Sequence, residues 1–235
     1  MKVKSNLKDK AEAINRELAK AYPDARCALN YKNPFELLAA TILSAQCTDE
    51  RVNMVTPALF KRCPNAKTLS TIPQEELEEL IRTTGFFRNK AKSLIGMATA
   101  VAGTYKGKVP AHMDELRELP GVGRKTANVV LGNCFDTPGI TVDTHMSRLS
   151  QRMGLTRNSD PEKIEQDLMK LIPQKEWTLF SHRIITHGRQ VCQARRPLCE
   201  RCPVTSYCDY FQRMQRTAAV TSKATRGKKL PKKIR

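Results

Sequence analysis

One stretch, LPGVGRKTANVVLGNCFDTPGITVD, holds residue types that could do chemistry together: Gly121, Val122 and Gly123, then Lys125, then Asp143. Two glycines one residue apart open backbone conformations closed to other residues and leave amides uncovered. A helix from about Arg124 to Cys134 would aim its free N–H groups at that turn, which grips a phosphate without reading bases. The same glycines would also serve an ordinary tight turn between helices. Lys125 sits where the helix dipole disfavours its ammonium form. Partly desolvated, with a lowered pKa, it would be a nucleophile able to form a Schiff base with an aldehyde-like carbon. By position alone it could equally hold a phosphate. Asp143 before Thr144 is a helix N-cap, and a carboxylate held by helix amides stays ionised. It could take a proton from the lysine, or stabilise the oxocarbenium-like charge that develops when a glycosidic bond breaks.

A second constellation is Cys192, Cys199, Cys202 and Cys208, in the pattern C-x6-C-x2-C-x5-C. Four thiolates so close together bind metal, and the spacing leaves structural zinc and an iron–sulfur cluster both open. Arg195, Arg196 and Arg201 lie between the cysteines, as phosphate contacts or as a solvated surface. Cys27, Cys47, Cys63 and Cys134 are scattered and read as small buried hydrophobes. Gln46 after an apolar helix and Phe86 at a turn are core or cap residues, or wedges that fill the gap left by an extruded base. His145 and Arg148 follow Asp143 on one helix, as nucleic-acid contacts or as structural hydrogen-bonding groups.

Positioning these groups falls to helices. Leu7, Ala11, Ile14 and Leu18 recur at helical spacing up to Pro23. Asn33-Pro34 caps a segment apolar nearly all round, expected to stop near Gln46-Cys47 and to be central and buried. Thr48 or Asp49 caps the next, which runs toward Phe60. Pro73 opens another, closed by Gly85. Helices follow over about Asn89–Tyr105 and Met113–Leu119. Beyond the glycine turn and its helix, Asp143 or Thr144 starts one ending near Gly154. Asp160-Pro161 starts one reaching Ile172, and Trp177, Phe180, Ile184 and Val191 stripe a last one leading to Cys192. Only Ile140–Val142 reads as extended. The fold class is all-α.

The chain has 235 residues, enough for one domain or two small ones, and a net charge of +18 with a pI near 9.8. That excess calls for a polyanion, by default nucleic acid. No apolar run approaches membrane-spanning length, so no membrane is expected as partner. The N-terminus is charged but lacks the apolar run of a signal peptide, and a cytoplasmic place is expected. There, eight cysteines do not read as a disulfide framework. Beyond Phe211 the chain has no acidic residue and few large apolar ones, and is expected to be a basic, disordered tail.

LPGVGRKTANVVL, VDTH, LLAATILSAQCTD and HGRQVCQARRPLCERCPVTSYC together resemble the endonuclease III family, bacterial DNA glycosylase/lyases of the helix-hairpin-helix superfamily. The resemblance spans about Leu7 to Tyr210. It implies two helical domains with double-stranded DNA bound in the cleft between them. Residues 27–137 would form a six-helix domain with the hairpin at about 115–134. Residues 1–26 and 138–211 would form the domain closed by a [4Fe-4S] cluster, with 212–235 as the tail. It also implies Lys125 and Asp143 as catalytic residues and Cys192, Cys199, Cys202 and Cys208 as cluster ligands. Gln46 and Phe86 would be inserted into the DNA stack, and Phe86 stands where the family carries leucine. Gly121, Val122, Gly123, His145, Arg148, Arg195 and Arg196 would touch DNA. The implied enzyme is a monomer that acts on damaged pyrimidines and abasic sites and needs no free metal or nucleotide for its chemistry. An adenine-mismatch relative would lack the hairpin lysine, whereas a pyrimidine-dimer relative would look nearly identical. A non-catalytic DNA-binding module with a structural metal is the rival from another class.

Overall fold

Side-chain caps start six of the α-helices among the described residues. The computed structural model describes residues 6–226. In α1 (Leu7–Ala21) the Asn6 side chain accepts from the Lys8 amide, and Ala11, Ile14 and Leu18 are buried. Asn33 caps α2 (Pro34–Leu43) through the Glu36 amide, with Pro34 as its first residue. Every α2 residue from Phe35 to Leu43 is buried. Its two polar side chains are satisfied: Glu36 accepts from the Lys32 amide, and the Thr41 hydroxyl donates to Leu37 O. The helix stops at Leu43, short of the expected Gln46. The Ser44 hydroxyl turns back to Thr41 O, and Gln46 takes a left-handed backbone at φ 53°.

Thr48 caps α3 (Asp49–Arg62). The short α4 (Ala66–Ser70) rests on an Asn65–Thr68 capping box and is not foreshadowed by any apolar period. Next come α5 (Gln74–Ile81), prolonged by a 3-10 turn over Arg82–Thr84, and α6 (Phe87–Gly103), which begins two residues before the expected Asn89. α7 (Met113–Glu118) and α8 (Arg124–Cys134) follow. These helices belong to one compact unit, Arg26–Thr141 together with Gln174–Leu179. Leu37, Leu38, Leu59, Leu77, Ile81, Leu94, Met97 and Val130 are among its core residues.

The second unit takes the chain up to Ala25, Val142–Pro173 and the residues from Phe180 onward. Its helices are α1, α9 (Thr144–Met153), α10 (Pro161–Leu171), most of α11 (Trp177–Gln190) and α12 (Asp209–Arg226). Asp143 and Asp160 cap α9 and α10, and Gly154 at φ 73° closes α9. Ile14, Leu18, Leu149, Ile164, Leu168, Phe180 and Ile184 are buried here.

Among the described residues there is no strand: the extended piece at 140–142 pairs with no other, and Asn128 Nδ2 on α8 donates to Ile140 O. The expected disorder after Phe211 is corrected, because α12 continues to Arg226. Nothing between 212 and 226 is Gly or Pro, so no residue there breaks the helix. Residues 212–218 are exposed, which explains why no apolar stripe announces them. The rest of the expected tail, 227–235, lies outside the described residues. Among the described residues no helix is long and apolar enough to cross a membrane.

Candidate active site and metal centre

Between α7 and α8 the Val122 amide donates to Leu119 O and Val122 itself is buried, which fixes the turn from beneath. Gly121 has φ +78°, and a Cβ there would lie 2.7 Å from Ser93 Cβ on α6. Glycine is required at that position on both counts. Gly123 is different: it has extended backbone, and a Cβ would meet nothing within 4 Å. Openness is its property. It is the N-cap of α8, and no side-chain hydrogen bond caps that helix, as an anion site at its first turn requires.

Lys125 stands in the first turn of α8 and is exposed. The partial desolvation expected of a nucleophile is therefore not met at this position. Asp143 is half-buried, and its Oδ1 accepts from the Met146 amide at 2.7 Å, as expected of an N-cap. Lys125 and Asp143 belong to different compact units.

His145 and Arg148 are held within their own unit. Arg148 Nη2 donates to Gly188 O at 3.3 Å and Cys192 O at 3.0 Å, and lies 3.2 Å from His145 Nδ1. A Cβ at Gly188 would come within 2.6 Å of that His145 nitrogen, so α9 and α11 pack too closely there for a larger residue. Burial lowers the His145 pKa below the ordinary histidine value, Asp143 opposes the shift, and Arg148 and Arg189 add to it. Gln46 and Phe86 are both exposed and both left-handed, at φ 53° and 49°.

The four cysteines line one pocket, together with Val191, Pro197, Leu198 and Val204. Arg152, one turn beyond Arg148, anchors the loop. It donates to Cys192 Sγ at 3.4 Å, Gln193 O at 2.8 Å and Ala194 O at 2.7 Å, and stacks over Tyr210. His187 is fully buried and reaches Tyr22 Oη at 2.8 Å and Cys202 Sγ at 3.5 Å. Burial lowers its pKa to about 4. Sequence reasoning missed Arg152, His187 and Tyr22. Arg152 follows Arg148 by one turn on a helix that leads nowhere near the cysteines in sequence, so no local signal marked it. Arg195 and Arg196 are exposed on the loop.

The donor set fits a cluster better than a single ion. Tetrahedral zinc at about 2.3 Å from each sulfur would draw the thiols to roughly 3.8 Å of one another. Among the described residues no three Cys, His, Asp or Glu side chains gather closely enough to hold one ion. Four thiols spread around an apolar pocket suit a cluster held at its corners.

Residues 39–174 match the model of the HhH-GPD superfamily base excision DNA repair proteins, and residues 192–208 match the iron-sulfur binding domain of endonuclease III. The chain is 56% identical over 206 residues to endonuclease III of Synechocystis sp., covering 87% of this chain and 94% of that protein. The chain belongs to the endonuclease III family. It is also 43% identical over 200 residues to endonuclease III of Bacillus subtilis, covering 85% of this chain and 91% of that one. A solved trapped endonuclease III–DNA covalent intermediate superimposes with a TM-score of 0.85 at 44% identity, over 88% of this chain and 98% of the other. A thermostable thymine-DNA glycosylase, at 21% identity and a TM-score of 0.79, shares the fold. As a member of this family with its iron–sulfur segment, the chain carries a [4Fe-4S] cluster as its cofactor, which decides between the two metals that cysteine spacing left open.

Proposed function

We propose that this member of the endonuclease III family removes oxidised or damaged pyrimidines from double-stranded DNA and cleaves the resulting abasic strand. The observation that carries this reading is Lys125, an exposed amine in the first turn of the helix whose amides the Gly-Val-Gly turn leaves uncapped. An amine fixed beside a phosphate grip is placed to meet a sugar.

In this reading Gly121, Val122 and Gly123 hold the DNA backbone. Gln46 and Phe86 enter the base stack as the damaged nucleotide flips out. DNA covering the turn excludes water from Lys125, and its neutral Nζ attacks C1′. The C1′–N bond breaks, and its electron pair leaves with the base, which takes up a proton. Asp143 accepts the proton that the nitrogen sheds and stabilises positive charge on the sugar. Opening of the sugar ring leaves Lys125 joined to C1′ as a Schiff base. Loss of a C2′ proton then expels the 3′ phosphate oxygen, a β-elimination that cuts the strand on the 3′ side. Water finally releases Lys125.

Cys192, Cys199, Cys202 and Cys208 would hold the cluster as thiolates. Bound in this way, the four cysteines would tie the loop into one shape and present Arg195 and Arg196 to phosphates. His145 and Arg148 brace α9 against the start of that loop, beside any contact they make with DNA. Activity on DNA would place the enzyme at the bacterial nucleoid.

Borohydride reduction on abasic-site DNA tests the central step. The wild type should become covalently joined to the DNA. Lys125→Ala should lose at least about 100-fold of that product while still binding DNA, and trapping that survives the substitution would remove Lys125 from the mechanism. A panel of oxidised pyrimidines, uracil, mismatches and plain abasic sites fixes the substrate range.

A further inference from the structure

Lys90 on α6 is 5% exposed, and its Nζ donates to two main-chain carbonyls, Leu43 O at 2.8 Å and Thr84 O at 2.7 Å, where a buried cation would more usually meet a carboxylate. Burial lowers its pKa below the ordinary lysine value, with Cys47 opposing the shift. What the lysine gains is geometric. Leu43 is the last residue of α2, and Thr84 is the last residue of the 3-10 turn that prolongs α5. Both carbonyls are helix C-terminal acceptors without a partner inside their helix, and a cation is favourable there. One ammonium thus ties together two helix ends that lie far apart in sequence.

Past each tied carbonyl the chain reverses at once. Gln46 follows Leu43 by three residues, and Phe86 follows Thr84 by two. Four described non-glycine residues have positive φ, and Gln46 at 53° and Phe86 at 49° are two of them. Such backbone persists only where its surroundings over-determine it. Phe86 is also 63% exposed, an apolar side chain left largely to solvent in the free chain.

We propose, building on the wedge reading of Gln46 and Phe86, that Lys90 is a positioning residue whose ammonium sets the take-off points of both reversals and so the register in which the two side chains enter DNA. The ammonium has three N–H donors and can hold both carbonyls at once. An apolar side chain of similar length leaves them unpaired and lets the two tips drift apart. A paired base must be unstacked before it reaches Lys125, whereas an abasic site has no base to extrude, so base removal depends on the wedges more than abasic cleavage does.

The test uses the full chain with its cluster. In Lys90→Met, single-turnover excision of an oxidised pyrimidine should fall by about 10-fold or more relative to cleavage at a preformed abasic site, as expected for a misplaced contact. The double variant Lys90→Met/Phe86→Ala should excise no worse than the poorer single variant, because both changes remove one function. A ratio within about 2-fold of wild type, or losses that multiply in the double variant, would overturn the proposal. If Lys90→Met does not fold, Lys90→Gln, which keeps two N–H donors without the charge, is read by the same ratio and should fall by about 3-fold or more. A wild type that neither excises nor traps would instead sink the repair reading. The role of Lys90 would then be read from 2-aminopurine opposite a tetrahydrofuran site. Fluorescence should rise on binding of wild type and not of the variant, and an equal rise with both would overturn it.

Discussion

Asp143 accepts the Met146 amide at 2.7 Å, so it caps α9 whatever chemistry it performs. Two substitutions separate the roles. Asp143→Asn keeps a capping oxygen and should leave unfolding in urea within a few tenths of a kcal/mol of wild type, while Asp143→Ala should cost about 1 kcal/mol. Both should lower base excision by about 100-fold or more, since neither carries a carboxylate. An active Asp143→Asn would reduce the residue to a cap. The two glycines of the hairpin divide in the same way. Gly121→Ala forces a Cβ toward Ser93 at a positive φ and should lose about 1–3 kcal/mol of stability. Gly123→Ala meets no neighbour within 4 Å and should leave stability nearly unchanged, yet weaken DNA binding by placing a methyl beside the first turn of α8, which no side chain caps. Urea unfolding beside a binding titration distinguishes them. The types and spacing of these residues were legible in sequence because a turn and a cap are made by near neighbours. The exposure of Lys125 was not, because desolvation depends on what the rest of the chain, or a substrate, lays over it.

The elements were legible where a cap announces them. Asn33, Thr48, Asp143 and Asp160 each accept from an amide three residues on, and each starts a helix where the sequence places one. α4 escaped notice because five residues carry too little apolar period. α12 escaped because an exposed helix needs no period at all. The loop from Cys192 to Cys208 is of another kind, with only 3-10 turns of its own, at Cys199–Arg201 and Thr205–Tyr207. Arg152 holds its start, and Cys192, Cys199, Cys202 and Cys208 would add the cluster as a further tie. Removing the iron by oxidation and chelation should therefore open this unit first, because cluster binding energy is folding energy. Hydrogen exchange should show protection lost across 144–211 while α2, α6 and α8 keep theirs. Simultaneous loss in both units would mean that the cluster supports the whole chain.

At the scale of the molecule, a net charge of +18 predicts DNA binding dominated by phosphate contacts. The logarithm of affinity should fall linearly with that of salt, with a loss of roughly a thousandfold between about 50 and 200 mM if six or so phosphates are neutralised. Arg195→Gln and Arg196→Gln should each reduce the slope by about one, and equally on damaged and undamaged DNA. A flat salt titration would contradict a phosphate interface, and unaltered slopes would remove those two arginines from it.

Sequence by itself determined the all-α class, the hairpin turn, the helix caps, the cysteine-rich iron–sulfur segment and the polyanion partner. Each rests on a local pattern or on a sum over the chain, which neighbours along the backbone suffice to express. Only the tertiary structure decided which distant groups meet. Lys90 bonds a carbonyl 47 positions away, Arg152 reaches Cys192 across 40, and Tyr22 reaches His187 across 165. A buried cation on two carbonyls and a buried histidine beside a thiol follow no local rule. They exist because folding removes water from those groups and leaves each only the partners that packing provides.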